Sequence, residues 1–191
     1  MDELAVLEAM MAQQRLRGYP STPESDLLAL PRMVDIYLAC SQKLGRLPTQ
    51  ERFLGEVVAA CPELPEIGVR ARASRTYPAL VRQQHFAIAL RTRTKLEGVH
   101  WIPELDYRGV DLLVLHRGLA LGVALSLRTE NAARWQGVKR TRHPQLGGLV
   151  MLELNLDPEN AQTRRVGPFW VHPLTDVWQV ENALERDWQA A

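Results

Sequence analysis

Two stretches of this chain carry side chains that could act together on a phosphodiester. Gly109-Val110-Asp111-Leu112-Leu113-Val114 sets a carboxylate at the opening of an apolar run. Gly122-Val123-Ala124-Leu125-Ser126-Leu127-Arg128-Thr129 ends a second run with a hydroxyl, a cation and another hydroxyl. A carboxylate is a hard oxygen ligand for Mg²⁺. A guanidinium stabilises developing negative charge but stays protonated, so it cannot shuttle a proton. If both runs are strands, residues two apart share a face, and Ser126 and Arg128 point together beside the aspartate of the neighbouring strand. That layout suits metal-dependent attack at phosphate. Ser126 is a poor Mg²⁺ ligand, so a second carboxylate must come from elsewhere. Asp106, across the turn before Asp111, Glu104, Glu130 just past the second run and Glu153 on a later run are the candidates.

These residues need a sheet to hold them. Strands are expected over 99–102, 110–115, 119–127 and 149–156, with turns at Tyr107-Arg108-Gly109 and His116-Arg117-Gly118. Runs this apolar imply a mixed α/β layer structure with cover on both faces. A polar helix is expected from Glu130 or Asn131 to His143, closed by Pro144 and Gly147-Gly148. Residues 165–172 form a further strand candidate, and 175–188 a terminal amphipathic helix burying Val177, Trp178, Val180, Leu184 and Trp188. Ahead of the sheet, apolar spacing predicts helices over 2–17, from Pro31 to Leu44 and from Pro48 to Cys61, with a short turn capped at Ser25 or Asp26. Val69–Arg75 reads as a basic connector, and Pro78 suits the first turn of a long helix running from Thr76 to Arg93 or Lys95. The expected division is a helical region over 1–75 and an α/β core over 76–191. Within the N-terminal half of the chain, GRLPTQERFLGEVV followed by ARASRTYPALVRQQHF resembles a helix-turn-helix with a long, proline-rich turn, in which Arg75, Arg82, Gln83 and His85 could reach base edges. A helical cap packed on the sheet is the competing account.

The charge distribution narrows the partner. Residues 70–143 hold 14 Lys/Arg against 5 Asp/Glu, whereas residues 1–69 hold 6 against 10 and residues 144–191 hold 3 against 7. A basic centre of that size is an electrostatic footprint for a polyanion, unless the acidic flanks neutralise it internally. The cations that would line such a surface are Arg70, Arg72, Arg75, Arg82, Arg91, Arg93 and Lys95 before the sheet. Arg134, Lys139, Arg140, Arg142 and His143 follow on the polar helix. No apolar run reaches the roughly 20 residues of a membrane helix, and MDELAVLEAM lacks the basic start of a secretory signal. Cys40 and Cys61 are too few for a disulfide framework, so a reducing cytoplasm is expected. The five histidines show no paired metal spacing, and no phosphate-binding glycine loop occurs.

The order helix, three strands, helix, strand over about residues 76–156 resembles the restriction-endonuclease-like superfamily named for its PD-(D/E)XK motif. The resemblance rests on the two stretches quoted above. It implies that Asp111 matches the first acid, Ser126 stands where the second acid belongs, Arg128 where the lysine belongs, and Thr129 at the trailing hydroxyl. It further implies Mg²⁺ as cofactor if the site is active, held by Asp111 with Asp106 or Glu130, and a lysine role that Lys139 could take by migration. The motif as it stands is Asp…Ser-x-Arg, a departure at both third-strand positions.

The expected function is therefore nucleic-acid binding on a nuclease-like fold, with the catalytic site lost or rearranged and DNA favoured over RNA. Two other readings stay open. One is an active Mg²⁺-dependent DNA endonuclease or exonuclease. The other is an assembly subunit of a phage, mobile-element or defence complex, as a homodimer or within a larger protein complex.

Overall fold

Local signals set most helix ends. Thr22 caps α2 (Pro23–Leu27) in a reciprocal capping box with Ser25. Thr49 caps α4 (Gln50–Ala59) by accepting the backbone N–H of Arg52 at 3.2 Å. Gly45, with φ of 60°, stops α3 (Met33–Leu44) in the left-handed conformation. The computed structural model describes residues 2–106, 108–128 and 149–190. Among them α1 spans Glu3–Ala12, α5 Glu66–Arg93, β1 Gly98–His100, α6 Pro103–Asp106, β2 Leu112–His116 and β3 Leu119–Leu127. β4 spans Val150–Leu156, β5 Arg164–Val166, β6 Phe169–Val171, and the last helix, α7, Leu174–Ala190. The expected helix over 130–143 lies outside the described residues.

Several boundaries differ from the pattern reading. α5 begins at Glu66, so the stretch taken as a basic connector is helical and Pro78 sits inside a helix of 28 residues. A proline suits a first turn but does not require one, because packing can compensate the single hydrogen bond it removes. α1 ends at Ala12, five positions early. Thr22, not Ser25 or Asp26, is the cap of α2. The single strand expected over 165–172 is a hairpin, folded at Gly167, whose φ is 56°.

The chain divides into two compact units. The first comprises residues 1–4, 83–165 and 170–191. Its four-stranded mixed sheet has the order β1-β2-β3-β4, antiparallel except for the parallel β3–β4 pair. Register pairs Leu112 with Val123 and Val114 with Leu121, while Leu125 pairs with Leu154 and Leu127 with Leu156. Leu112, Val114, Leu121, Val123, Leu154 and Leu156 are all buried, as are Val177, Val180 and Leu184 of α7 and Phe86 and Leu90 of α5. The result is an α/β unit with a mixed sheet flanked by helices, as expected at that level. On β4 the alternate residues Met151, Glu153 and Asn155 are exposed, so that side of the strand is solvated.

The second unit comprises residues 5–82 with the hairpin tip 166–169. Its core is an aromatic cluster. The Tyr37 ring lies 5.8 Å from Phe53 and 6.2 Å from Tyr77, and Tyr77 lies 6.1 Å from Phe169, all tilted or edge-on. Burial pushes both tyrosine hydroxyls well above their usual range. The Tyr77 hydroxyl donates to the Pro48 carbonyl at 2.6 Å, which keeps a buried polar group satisfied. Gly167 closes the unit tightly: a Cβ there would stand 2.6 Å from the Met11 carbonyl oxygen and 2.8 Å from Ala12 Cα. Both neighbours are backbone, and its positive φ adds strain for any L-residue. Gly167→Ala should therefore cost roughly 2 kcal/mol or more. Urea unfolding would measure it, and a midpoint unchanged from the parent would contradict the packing.

Candidate functional site

Asp111 lies just before β2, after a one-turn helix and a glycine with φ of 84° at Gly109. The Val110 N–H donates to the Leu105 carbonyl and the Asp111 N–H to the Val123 carbonyl, which carries the contact with β3 one residue ahead of the first residue of β2. The carboxylate is 6 % exposed. Its Oδ1 accepts from Gln83 Nε2 at 2.5 Å and its Oδ2 accepts from the Leu125 N–H at 2.5 Å. β3 runs on beyond the end of β2, so the Leu125 N–H meets a side chain where a longer β2 would have offered a carbonyl. Asp111 thus caps a shortened ladder and ties it to α5.

The third-strand residues look the other way along the sheet. The Ser126 hydroxyl hydrogen-bonds to Asn155 Oδ1, its register partner on β4. Arg128 Nη1 pairs with Asp157 Oδ2 at 3.1 Å, while its backbone N–H donates to the Leu156 carbonyl at 2.8 Å. Arg128 is well exposed, with 76 % of its side chain accessible, and such a pair contributes little stability. Ser126 and Arg128 therefore have β4 partners, and Asp111 has partners on α5 and β3.

Among the described residues, the groups around Asp111 do not fit Mg²⁺. Each carboxylate oxygen accepts one N–H donor, and the neighbouring strand offers a serine and an arginine where a cation needs further hard oxygen ligands. Among the described residues, no three His, Cys, Asp or Glu side chains gather into a set able to hold a metal. Asp106 ends α6, half-buried, and Glu104 and Glu153 are exposed. Glu130, Thr129 and Lys139 lie outside the described residues.

The basic residues of α5 are mostly engaged. In the second unit Arg70 Nε pairs with Glu66 at 2.6 Å and its Nη1 with Glu51 at 3.4 Å. The Glu66 carboxylate raises the Arg70 pKa further. Arg72 donates to the carbonyls of Asp26, at 3.0 Å, and Leu28, and Arg75 pairs with the Asp26 carboxylate. Arg82 is buried. In the first unit Arg93 pairs with Asp2 at 2.5 Å and Arg91 with Glu3 at 3.6 Å, while Lys95 is exposed. Gln83 and His85 are also buried, so with Arg82 they do not present themselves to base edges. The acidic flank neutralises much of this helix, the alternative that the charge count had left open. Arg134, Arg140, Arg142 and His143 lie outside the described residues.

Gln83 is among the residues that a helix-turn-helix would turn to base edges and that the fold buries. It falls at i+3 from Leu80 and four before Ala87, in one stripe with Leu90. A polar side chain on the apolar stripe of a helix needs a buried partner, and that was the available signal.

No protein-family model matches the chain, and no match was found among curated proteins or solved structures.

Proposed function

We propose that this chain binds nucleic acid, DNA in preference to RNA, on a restriction-endonuclease-like fold that no longer hydrolyses phosphodiesters. The observation that carries the second half is the environment of Asp111: both oxygens hold protein N–H donors, and the adjoining strand supplies Ser126 and Arg128. The meander of β1, β2 and β3 with a parallel β4 supports the likeness to that superfamily. No helix among the described residues is long and apolar enough to cross a membrane. Support for binding comes from the connection between β3 and β4, which carries Arg134, Lys139, Arg140 and Arg142 against Glu130 alone. DNA is favoured because the superfamily likeness favours it.

Phosphate contacts of this kind release counterions, so affinity falls steeply with salt. With four such contacts, binding to a labelled duplex should weaken about a hundredfold between about 50 and about 200 mM salt. Fluorescence anisotropy measures this, and incubation of the same duplex with Mg²⁺ or Mn²⁺ should leave it intact. Absence of binding at the lower salt would overturn the binding reading. Metal-dependent cleavage abolished by Asp111→Ala would overturn the loss of hydrolysis.

A further inference from the structure

A cleft of about 730 Å³ opens in the second unit between the end of α1, the loop after α3 and the first turn of α4. Arg15 stands on one wall and Arg46 on another, with Thr49 and Gln50 of the α4 start between them. Both arginines are exposed, and among the described residues neither makes an ion pair or hydrogen bond. The other charges lining the cleft are already matched. Glu51 accepts from the Tyr19 hydroxyl at 2.7 Å and pairs with Arg70, and Arg52 pairs with Glu56 at 2.5 Å. Gln50, which is buried, accepts the Arg17 N–H at 2.7 Å and so fixes the chain that carries Arg15 against α4.

Two unmatched guanidinium groups facing one opening repel each other and gain from an anion placed between them. Arginine's planar fork matches the tetrahedral oxygens of a phosphate in two-point contacts. We infer that this cleft, through Arg15 and Arg46, is a second phosphate contact for the backbone of a bound DNA strand. The inference rests on the nucleic-acid reading above. It moves the contribution of the helical unit away from α5, whose Arg70, Arg72 and Arg75 already have partners, and onto two residues that the charge count passed over. An open cleft that presents two exposed arginines suits a strand that passes through, and its contacts are blind to base sequence.

The test is anisotropy with a labelled duplex across a salt series, using the full chain. Arg15→Ala/Arg46→Ala should weaken binding roughly tenfold and flatten the slope of log affinity against log salt by about one to two, the value for one or two lost phosphate contacts. Arg32→Ala/Lys43→Ala removes the same formal charge from the same unit, at exposed residues outside the cleft, and should change both quantities little. The inference is overturned if the cleft variant keeps the parental affinity and slope, or if the control variant loses as much. In those cases the nucleic-acid reading stands, because the parent still binds. If the parent binds no duplex at low salt, both fall together. Equal thermal midpoints for all three proteins would exclude unfolding as the cause of any loss.

Discussion

Asp111→Ala should destabilise the protein by roughly 3 kcal/mol, the sum expected when two donors lose a buried acceptor. The Leu125 N–H and the Gln83 amide both point at this carboxylate from 2.5 Å, and Asp111 and Gln83 are 6 % and 7 % exposed. Water would have to enter to replace it, at the place where β2 stops short of β3. Asp111→Asn should cost less, about half, because its amide oxygen can still accept from one donor while its NH₂ group meets the other. Gln83→Ala removes one of the same contacts, so the two substitutions should be non-additive, coupled by about 1 kcal/mol or more. Urea unfolding of the four proteins in that cycle measures these quantities. The sign separates the two accounts of this residue. A carboxylate kept for a metal stands near other acids, and removing it relieves repulsion and leaves stability equal or higher. Stability unchanged within about 0.5 kcal/mol would therefore revive the metal-site reading.

The second large effect concerns binding. Replacing Arg134, Lys139, Arg140 and Arg142 together by alanine should lower duplex affinity about a hundredfold at moderate salt and reduce the salt slope by three to four, about one for each lost phosphate contact. The expectation follows from what the rest of the basic centre does. Arg70, Arg75, Arg91 and Arg93 have carboxylate partners, and Arg72 holds two carbonyls. A phosphate competing for them must first break those contacts. Residues 129–148, between β3 and β4, hold four Lys/Arg against one acid, so their charge cannot be cancelled locally. A matched variant that neutralises Arg70, Arg72, Arg91 and Arg93 should lose much less affinity. Equal losses would show that the footprint is one undivided field, and no loss in the first variant would remove the segment from the binding surface.

The sheet was legible because strand signals are local. Apolar runs and the turns before Val110 and Leu119 placed β2 and β3, with β3 matching at both ends. Gly45 stopped α3 where a left-handed residue was called for. α5 was half legible, since Pro78 imitates a helix start and its interior tolerance depends on packing that no window of sequence contains. The charge pattern failed for a similar reason. An acid-free run from Arg70 to Lys95 looks uncompensated along the chain, yet its acids arrive from Asp2, Glu3, Asp26 and Glu51, which only folding brings near. The candidate site was legible in its positions and not in its role. Asp111 stands one residue ahead of β2, Ser126 within β3 and Arg128 one residue past it, but whether a carboxylate looks at a cation or at N–H donors depends on Gln83, 28 residues earlier.

The parallel pairing of β3 with β4 also has a kinetic side. β1, β2 and β3 form by antiparallel pairings between strands adjacent along the chain, and such contacts are found early in a chain's search. β4 can join only after the ends of the stretch from 128 to 149 have met, with Leu121 beside Val150, and that closure carries an entropic cost before any of its contacts form. The last strand to dock should thus be the one bearing Asn155 and the residues leading to Asp157. Until it arrives, β3 has an open edge and Ser126 and Arg128 lack the partners they keep in the finished sheet.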